Sequence, residues 1–285
     1  MRLDYYPPTP RLRPLLTMHA VVHGVDCPRM EVLPAMLPNL HIRLAGDCSY
    51  QFGDAPPVPA PPVALIGPTR TAYRMAFGPG LCLLTIGLLP AGWQSLVRVP
   101  GDECADRLFA ADGLWGAAAV DRLLAQLHGL PLDGRHTGAV EAFVSAALAA
   151  PGPQRLQQLQ SVDHWLEGSA SLSLDELSAH LGVGARQLRR ITEESHGMSP
   201  KILAMKYRAL RLAAALSRQR PATAPEHEAE QALLLYTDQS HAIRDFQRFV
   251  GWTPAAFGNE PRGTARATLA GRLRAGAHRP LALLS

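Results

Sequence analysis

Ser173-Leu-Asp-Glu-Leu-Ser-Ala-His-Leu-Gly-Val-Gly-Ala-Arg-Gln-Leu-Arg-Arg190 is the stretch that decides how this chain folds. Ser173 and Glu176 stand at the S-x-x-E spacing of a capping box, which satisfies the orphan amides of a helix start. Leu174, Leu177 and Leu181 then recur at helical spacing. Gly182 is a stop, because glycine enters the left-handed conformation at low cost. A second helix starting near Ala185 buries Leu188 and Ile191 and leaves Arg186, Gln187, Arg189 and Arg190 outward. A helix, a tight glycine-containing turn and a second helix with a basic outer face form a helix-turn-helix, whose second helix enters the DNA major groove. Guanidinium groups suit both guanine edges and phosphates there.

The unit is used twice. Gly197-Met-Ser-Pro200 closes the first copy, and Gly251-Trp-Thr-Pro254 closes a second, 54 residues later. At that offset Ala185 falls on Gln239 and Arg190 on Arg244, which is internal repetition. Asp238 is a natural N-cap. Ala242, Phe246 and Val250 mark an inward face, with Ile243 and Phe249 beside it. Gln239, Ser240, His241, Arg244 and Arg248 remain for the outer face. Ser199-Pro200 and Thr253-Pro254 each place a proline at a first helical position, where its missing N–H costs little.

These residues resemble the AraC/XylS family of bacterial transcription regulators. The matching pieces are Asp175-Glu-Leu-Ser-Ala-His-Leu-Gly-Val183, Arg186-Gln-Leu-Arg-Arg190, Gly197-Met-Ser-Pro200, Tyr236-Thr-Asp-Gln-Ser-His241 and Phe246-Gln-Arg-Phe-Val-Gly-Trp-Thr-Pro-Ala-Ala-Phe257. The resemblance implies an all-α DNA-binding domain with two helix-turn-helix units joined by a long helix, reading adjacent major-groove segments. By position it assigns base reading to Arg186, Arg189 and Arg190 in the first unit and to Gln239, Ser240, His241 and Arg244 in the second. The chain departs from the family pattern at Gly184, Thr192 and Leu235, at Glu230 and Gln231, and in a longer connection from Ser217 to His227. A second unit that has lost base reading and serves as a protein-contact surface therefore stays open.

The chain has 285 residues, room for two domains, and is 47% hydrophobic and 18% charged, a globular composition. From Gln154 onward there are 17 basic and 12 acidic residues, so the net charge of +4 belongs to the C-terminal part. That is the footprint expected for a polyanion partner. No secretory signal is visible at the start, and no apolar run approaches the ~20 residues needed to span a bilayer. Cys27, Cys48, Cys82 and Cys104 lack a CxxC pair and are expected to be reduced and structural. A cytoplasmic location follows as the expectation.

The first hundred residues read as short strands and turns, which suggests a small antiparallel barrel or sandwich. In Leu40-His-Ile-Arg-Leu44, Leu40, Ile42 and Leu44 share one face and His41 and Arg43 the other. Tyr6-Pro-Pro8, the stretch Leu33–Leu44 and Gly67-Pro-Thr69 resemble the cupin-like sensor domain of some AraC-type regulators, which implies a barrel that senses an effector or dimerises. Two helices follow between Asp106 and Ala150, for dimerisation or for packing on the barrel. Pro151-Gly-Pro153 is the expected boundary. The fold expected is thus α+β: residues 1–153 a cupin-like β-barrel domain with helices, 154–260 the double helix-turn-helix, and 261–285 a basic, disordered tail. Lys206, Arg208 and Arg211 on the long joining helix are placed to reach phosphates.

Candidates for a small-molecule site are His41, Arg43, Tyr50, Arg70, Tyr73 and Trp93. His19 and His23 have an HxxxH spacing, but no neighbouring acid or cysteine completes a metal set. No phosphate loop, nucleophile elbow or supported carboxylate pair is present. The reading is a regulator with double-stranded DNA, a small-molecule effector, a second copy of the chain and RNA polymerase as candidate partners. It needs no cofactor and no metal and has no catalytic set. A cupin-type enzyme or metal-binding barrel carrying a DNA-binding appendage is the alternative.

Overall fold

A computed structural model describes residues 2–24, 27–149, 151–169, 171–217, 238–259, 264–275 and 281. Its strands are β1 (Arg2–Tyr6), β2 (Leu16–His23), β3 (Arg29–Leu33), β4 (Asn39–Ala45), β5 (Cys48–Phe52), β6 (Val58–Pro59), β7 (Val63–Ile66), β8 (Tyr73–Phe77), β9 (Cys82–Leu88) and β10 (Leu108–Ala110). They pair antiparallel into a six-stranded sheet, β1-β2-β9-β4-β7-β10, and a four-stranded sheet, β3-β8-β5-β6. The alternation read in β4 holds. Leu40 and Ile42 are fully buried on the outer face of the larger sheet, and His41 points between the sheets to Tyr50.

On that outer face lie α1 (Pro90–Leu96), α2 (Gly101–Cys104), α3 (Asp112–Trp115), α4 (Ala117–His128) and α5 (His136–Ala147). Trp93, Val120, Leu123, Leu127, Val140 and Val144 form one core with the sheet. Helices α4 and α5 therefore bury their apolar stripes against the strands. Between the sheets, Tyr50, Tyr73, Met75 and Phe77 meet Ile66, Leu81 and Leu83.

The expected barrel is not closed: among the described residues no strand pair joins the two sheets. The reason lies at the far end of the chain. The tail expected to be disordered contains a helix that packs on β1, β3 and the long joining helix, across the gap between the two edge strands. A helix laid over a sheet edge covers unpaired backbone groups in place of a strand seam. Composition misled here, because the basic residues hide an apolar stripe of Ala265 and Leu269, both buried.

The C-terminal part is helical: α6 (Pro153–Gly168), α7 (Leu174–Leu181), α8 (Ala185–His196), α9 (Pro200–Ser217), α10 (Gln239–Val250), α11 (Pro254–Asn259) and α12 (Thr264–Arg274), the last being the helix at the gap. Local signals place these ends well. Ser173 caps α7 by accepting from the Glu176 amide at 3.4 Å, and Asp238 caps α10 by accepting from the His241 amide at 3.0 Å. Gly182, Gly197 and Gly251 all stop their helices with positive φ. The stripe Leu203, Tyr207, Leu210 and Ala214 puts α9 at the centre, against α8, α10, α11 and α12. The positioning helix expected around residues 228–234 lies outside the described residues. No described helix is long and apolar enough to cross a membrane.

Candidate nucleic-acid interface

In the first unit, Leu188 and Ile191 anchor α8 in the core, and this fixes what the opposite face shows. Arg186, Arg189 and Arg190 are exposed there and Gln187 is half-buried. Two of the arginines are already engaged. Arg189 Nε lies 2.8 Å from Glu193 Oε1, and Arg190 Nε lies 3.9 Å from Glu194 Oε1. Glu194 also takes Arg155 from α6 at 2.9 Å. Exposed pairs one turn apart are weak, so an incoming phosphate competes with them on favourable terms. If α8 faces DNA, replacing Glu193 by Gln tightens that binding by roughly two- to fivefold, since it frees Arg189 and removes a like charge from the polyanion. A titration of both proteins against one duplex checks this, and unchanged or weaker binding by the variant counts against a groove-facing Arg189.

In the second unit Ala242, Phe246, Phe249 and Val250 are buried, and Ser240, His241, Arg244 and Arg248 are exposed on α10. Gln239 stands at the first helical position. His241 is tied back to the cap, its Nδ1 2.6 Å from Asp238 Oδ2. The backbone bond from His241 is also the main reason the Asp238 carboxyl titrates below its ordinary value. Arg248 lies over the Phe249 ring, 5.1 Å from its centre. Ile243 departs from the expectation. It is 37% exposed rather than inward, because Phe249 and Val250 at the helix end already fill the core side.

Of the three side chains expected to reach phosphates from α9, two do not. Arg211 donates to the carbonyls of Ser169 at 2.8 Å and Leu166 at 2.5 Å, which locks α9 to the end of α6. Lys206 is 1% exposed and donates to the carbonyls of Met36 and Thr69, both at 2.9 Å. Arg208 is half-buried near Asp245. Helical spacing left Lys206 open to solvent, but the sheet domain covers it.

The same two sheet loops also hold both arginine-bearing helices. The loop after β3 and the loop after β7 are joined by a bond of 2.7 Å from the Met36 amide to Thr69 Oγ1. Arg70 Nε then donates to Gly197 O, the cap of α8, at 2.8 Å. Ala35 N donates to Phe249 O at 2.7 Å and Ala72 N to Arg248 O at 2.9 Å, both at the end of α10. Residues 35–36 and 69–72 thus touch α8, α9 and α10 at once. Nothing local in the sequence announces this: the partners lie more than a hundred residues away, and most of the donors and acceptors are backbone atoms.

The small-molecule candidates divide. His41 and Tyr73 line a cavity of about 80 Å³ between the sheets, together with Met75, Phe77, Leu83 and Leu269. Tyr50 stands behind it, its hydroxyl 2.6 Å from His41 Nδ1. Burial holds the His41 imidazole neutral, its pKa lowered to about 3. Arg43 bonds instead to Gly46 O at 2.7 Å, Arg70 serves the α8 cap, and Trp93 is a core residue donating to Val99 O at 3.0 Å. The HxxxH histidines go separate ways. His19 meets Glu141 at 3.1 Å in a buried pair, and His23 lies 3.4 Å from Asp4.

No family model and no curated protein matches the sequence. Solved structures do match. ToxT from Vibrio cholerae, solved at 1.65 Å, superposes with a TM-score of 0.51 over 87% of this chain and 100% of its own, at 8% identity. The chain shares the fold of ToxT. A second ToxT structure, of the wild-type protein bound to an unsaturated fatty acid, gives a TM-score of 0.50 over 90% of this chain and 97% of its own, again at 8% identity. Similarity at this identity speaks for the order and packing of the elements, a sheet domain followed by helices, over nearly the whole of both chains.

Proposed function

We propose that the chain is a sequence-specific DNA-binding transcription regulator of the AraC/XylS type rather than an enzyme. In this reading α8 and α10 enter successive major-groove segments. Arg186, Arg189, Arg190 and Arg244 meet base edges or phosphates, Gln187 and Arg248 add polar and phosphate contacts, and Gln239, Ser240 and His241 read base edges. The observation that carries the reading is the repeat itself: two helices at equivalent positions, flanking one buried helix, each with exposed arginine on its outer face. The setting is the cytoplasm, with a second copy of the chain and RNA polymerase as partners. Residues 1–153 act as the sensing and dimerising domain and 154–260 as the DNA-binding domain. Ligand control draws support from the apolar cavity and from the fatty acid held by ToxT, a protein of the same fold.

The test is DNA selection followed by titration at several salt concentrations. A recovered motif should span two neighbouring major grooves, with affinity falling steeply as salt rises. Arg190→Ala should cost about 1–3 kcal/mol and relax preference at one position. A motif confined to one groove would limit base reading to one unit, and no enrichment of any sequence would defeat the proposal.

A further inference from the structure

Helix α12 sits where a ligand of the sheet domain would sit. It bridges the edges of β1 and β3 and turns Ala265 and Leu269 into the mouth between the sheets. Tyr5 Oη donates to Thr268 O at 3.3 Å, and Gly271 lies so close to the Tyr5 ring that a Cβ there would overlap it. What remains behind the helix is about 80 Å³ of space. That is about half of the roughly 150 Å³ that admits a benzene molecule in a dry apolar cavity. With α12 in place, no molecule of effector size fits.

The wall behind the helix is built for more than packing. His41 is 4% exposed, its Nδ1 engages Tyr50, and its Nε2 is buried with no hydrogen-bond partner. A buried polar atom without a partner costs free energy that an incoming hydrogen-bonding group recovers. The surrounding wall is largely apolar, with Met75, Phe77 and Leu83 facing it beside Thr85, and α12 itself sets the buried Arg272 at the mouth. The occupant is also weakly held by its own chemistry. Helix α12 has 11 residues and includes Thr268 and Gly271. Helices shorter than about 12–15 residues are marginal without the surface they pack on.

We propose that the mouth between β1 and β3 is a binding site for an apolar molecule carrying one hydrogen-bonding group, and that α12 is its built-in occupant, displaced when that molecule enters. The inference rests on the sensing role proposed above. The cavity wall continues into Pro34, Ala35 and Met36, the loop that bonds to the end of α10 and to Lys206. Exchange of helix for ligand is therefore felt at the end of α10 directly, and at α8 only through the Met36–Thr69 bond to the loop that carries Arg70.

The experiment uses the full chain, no DNA, and the neutral fluorophore N-phenyl-1-naphthylamine, which is apolar with a single N–H. Gly271→Ala presses a methyl group into the Tyr5 ring while raising the helix propensity of α12, so it loosens docking without melting the helix. The variant should bind the probe at one site, about tenfold more tightly than the parent chain. Adding Met75→Trp, which fills the cavity, should remove that binding. Equal affinity in parent and variant, no binding by either, or binding that survives Met75→Trp overturns the proposal. Because the readout involves no DNA, a failed DNA selection leaves this result standing, and the reverse holds too.

Discussion

Above about pH 10.5, where the lysine is neutral folded or unfolded, Lys206→Ala should destabilise the protein by about 3–5 kcal/mol, from the cavity and from two lost bonds to buried carbonyls, of which Met36 O keeps the Thr69 amide and Thr69 O loses its donor. Lys206 reaches from the middle of α9 into the sheet domain, where Met36 O and Thr69 O accept its two bonds. Burial drives its pKa down from 10.5 to about 7, with Asp106 opposing the shift. A neutral amine has two hydrogens, which matches two acceptors. The sign of the pH dependence follows. Between about pH 7 and 10.5 the unfolded chain holds a proton on this lysine that the folded chain has given up. Stability therefore rises with pH across that window, by roughly 2 kcal/mol from pH 7 to 9, and the penalty for charging is fully present below about 7. Lys206→Met keeps the apolar stem and removes both the bonds and the titration. Urea denaturation at pH 7 and pH 9 should show the gain in the parent chain and not in the Met variant. The same pH dependence in both would remove Lys206 as its source.

Gly197→Ala and Gly251→Ala should each cost about 3 kcal/mol, while Gly182→Ala should cost about 1. All three glycines end a helix in the left-handed region, at φ of +74°, +86° and +64°. They differ in what surrounds them. A Cβ on Gly197 would come 2.5 Å from Pro68 Cγ and 3.0 Å from Gly101 O. One on Gly251 would overlap Val32 Cγ1 and reach 3.1 Å from Ala72 Cβ. One on Gly182 meets nothing within 4 Å. Backbone strain is common to the three, so the excess at 197 and 251 isolates contact with the sheet domain. Denaturation midpoints of the three variants provide the check, and equal costs would mean that the sheet domain does not press on the caps. The pair matters because these caps end α8 and α10. On the DNA-binding reading proposed above, whatever sets their distance and angle would set how two grooves are met, since successive major grooves on one face lie about 34 Å apart.

The sequence by itself determined the helical half to within a residue or two at most described ends. Its signals are local: a serine or aspartate accepting from an amide three residues on, a left-handed glycine, a leucine every third or fourth position. Such signals act within a few residues and depend little on the rest of the chain, so Ser173, Gly182, Asp238 and Gly251 were legible. Alternation also fixed the two faces of β4, because a strand has a period of two. The exposed arginines of α8 and α10 were legible for the converse reason, as what remains once Leu188, Ile191, Ala242 and Phe246 turn inward.

Only the tertiary structure decided the rest. Strand order, the open seam and the cavity depend on pairing between distant residues, and no residue carries a label for its partner. Ile243 shows how two or three apolar positions compete for one core side, with packing choosing among them. Lys206 and Arg211 carry charge at positions that helical spacing leaves open, and the covering sheet loops and the end of α6 turned them into bonds to backbone. Thr264–Arg274 of the basic tail became a helix because β1, β3 and α9 supplied an apolar surface that Ala265 and Leu269 cannot find alone. Helix propensity is a property of eleven residues, but the burial that stabilises them belongs to the whole molecule.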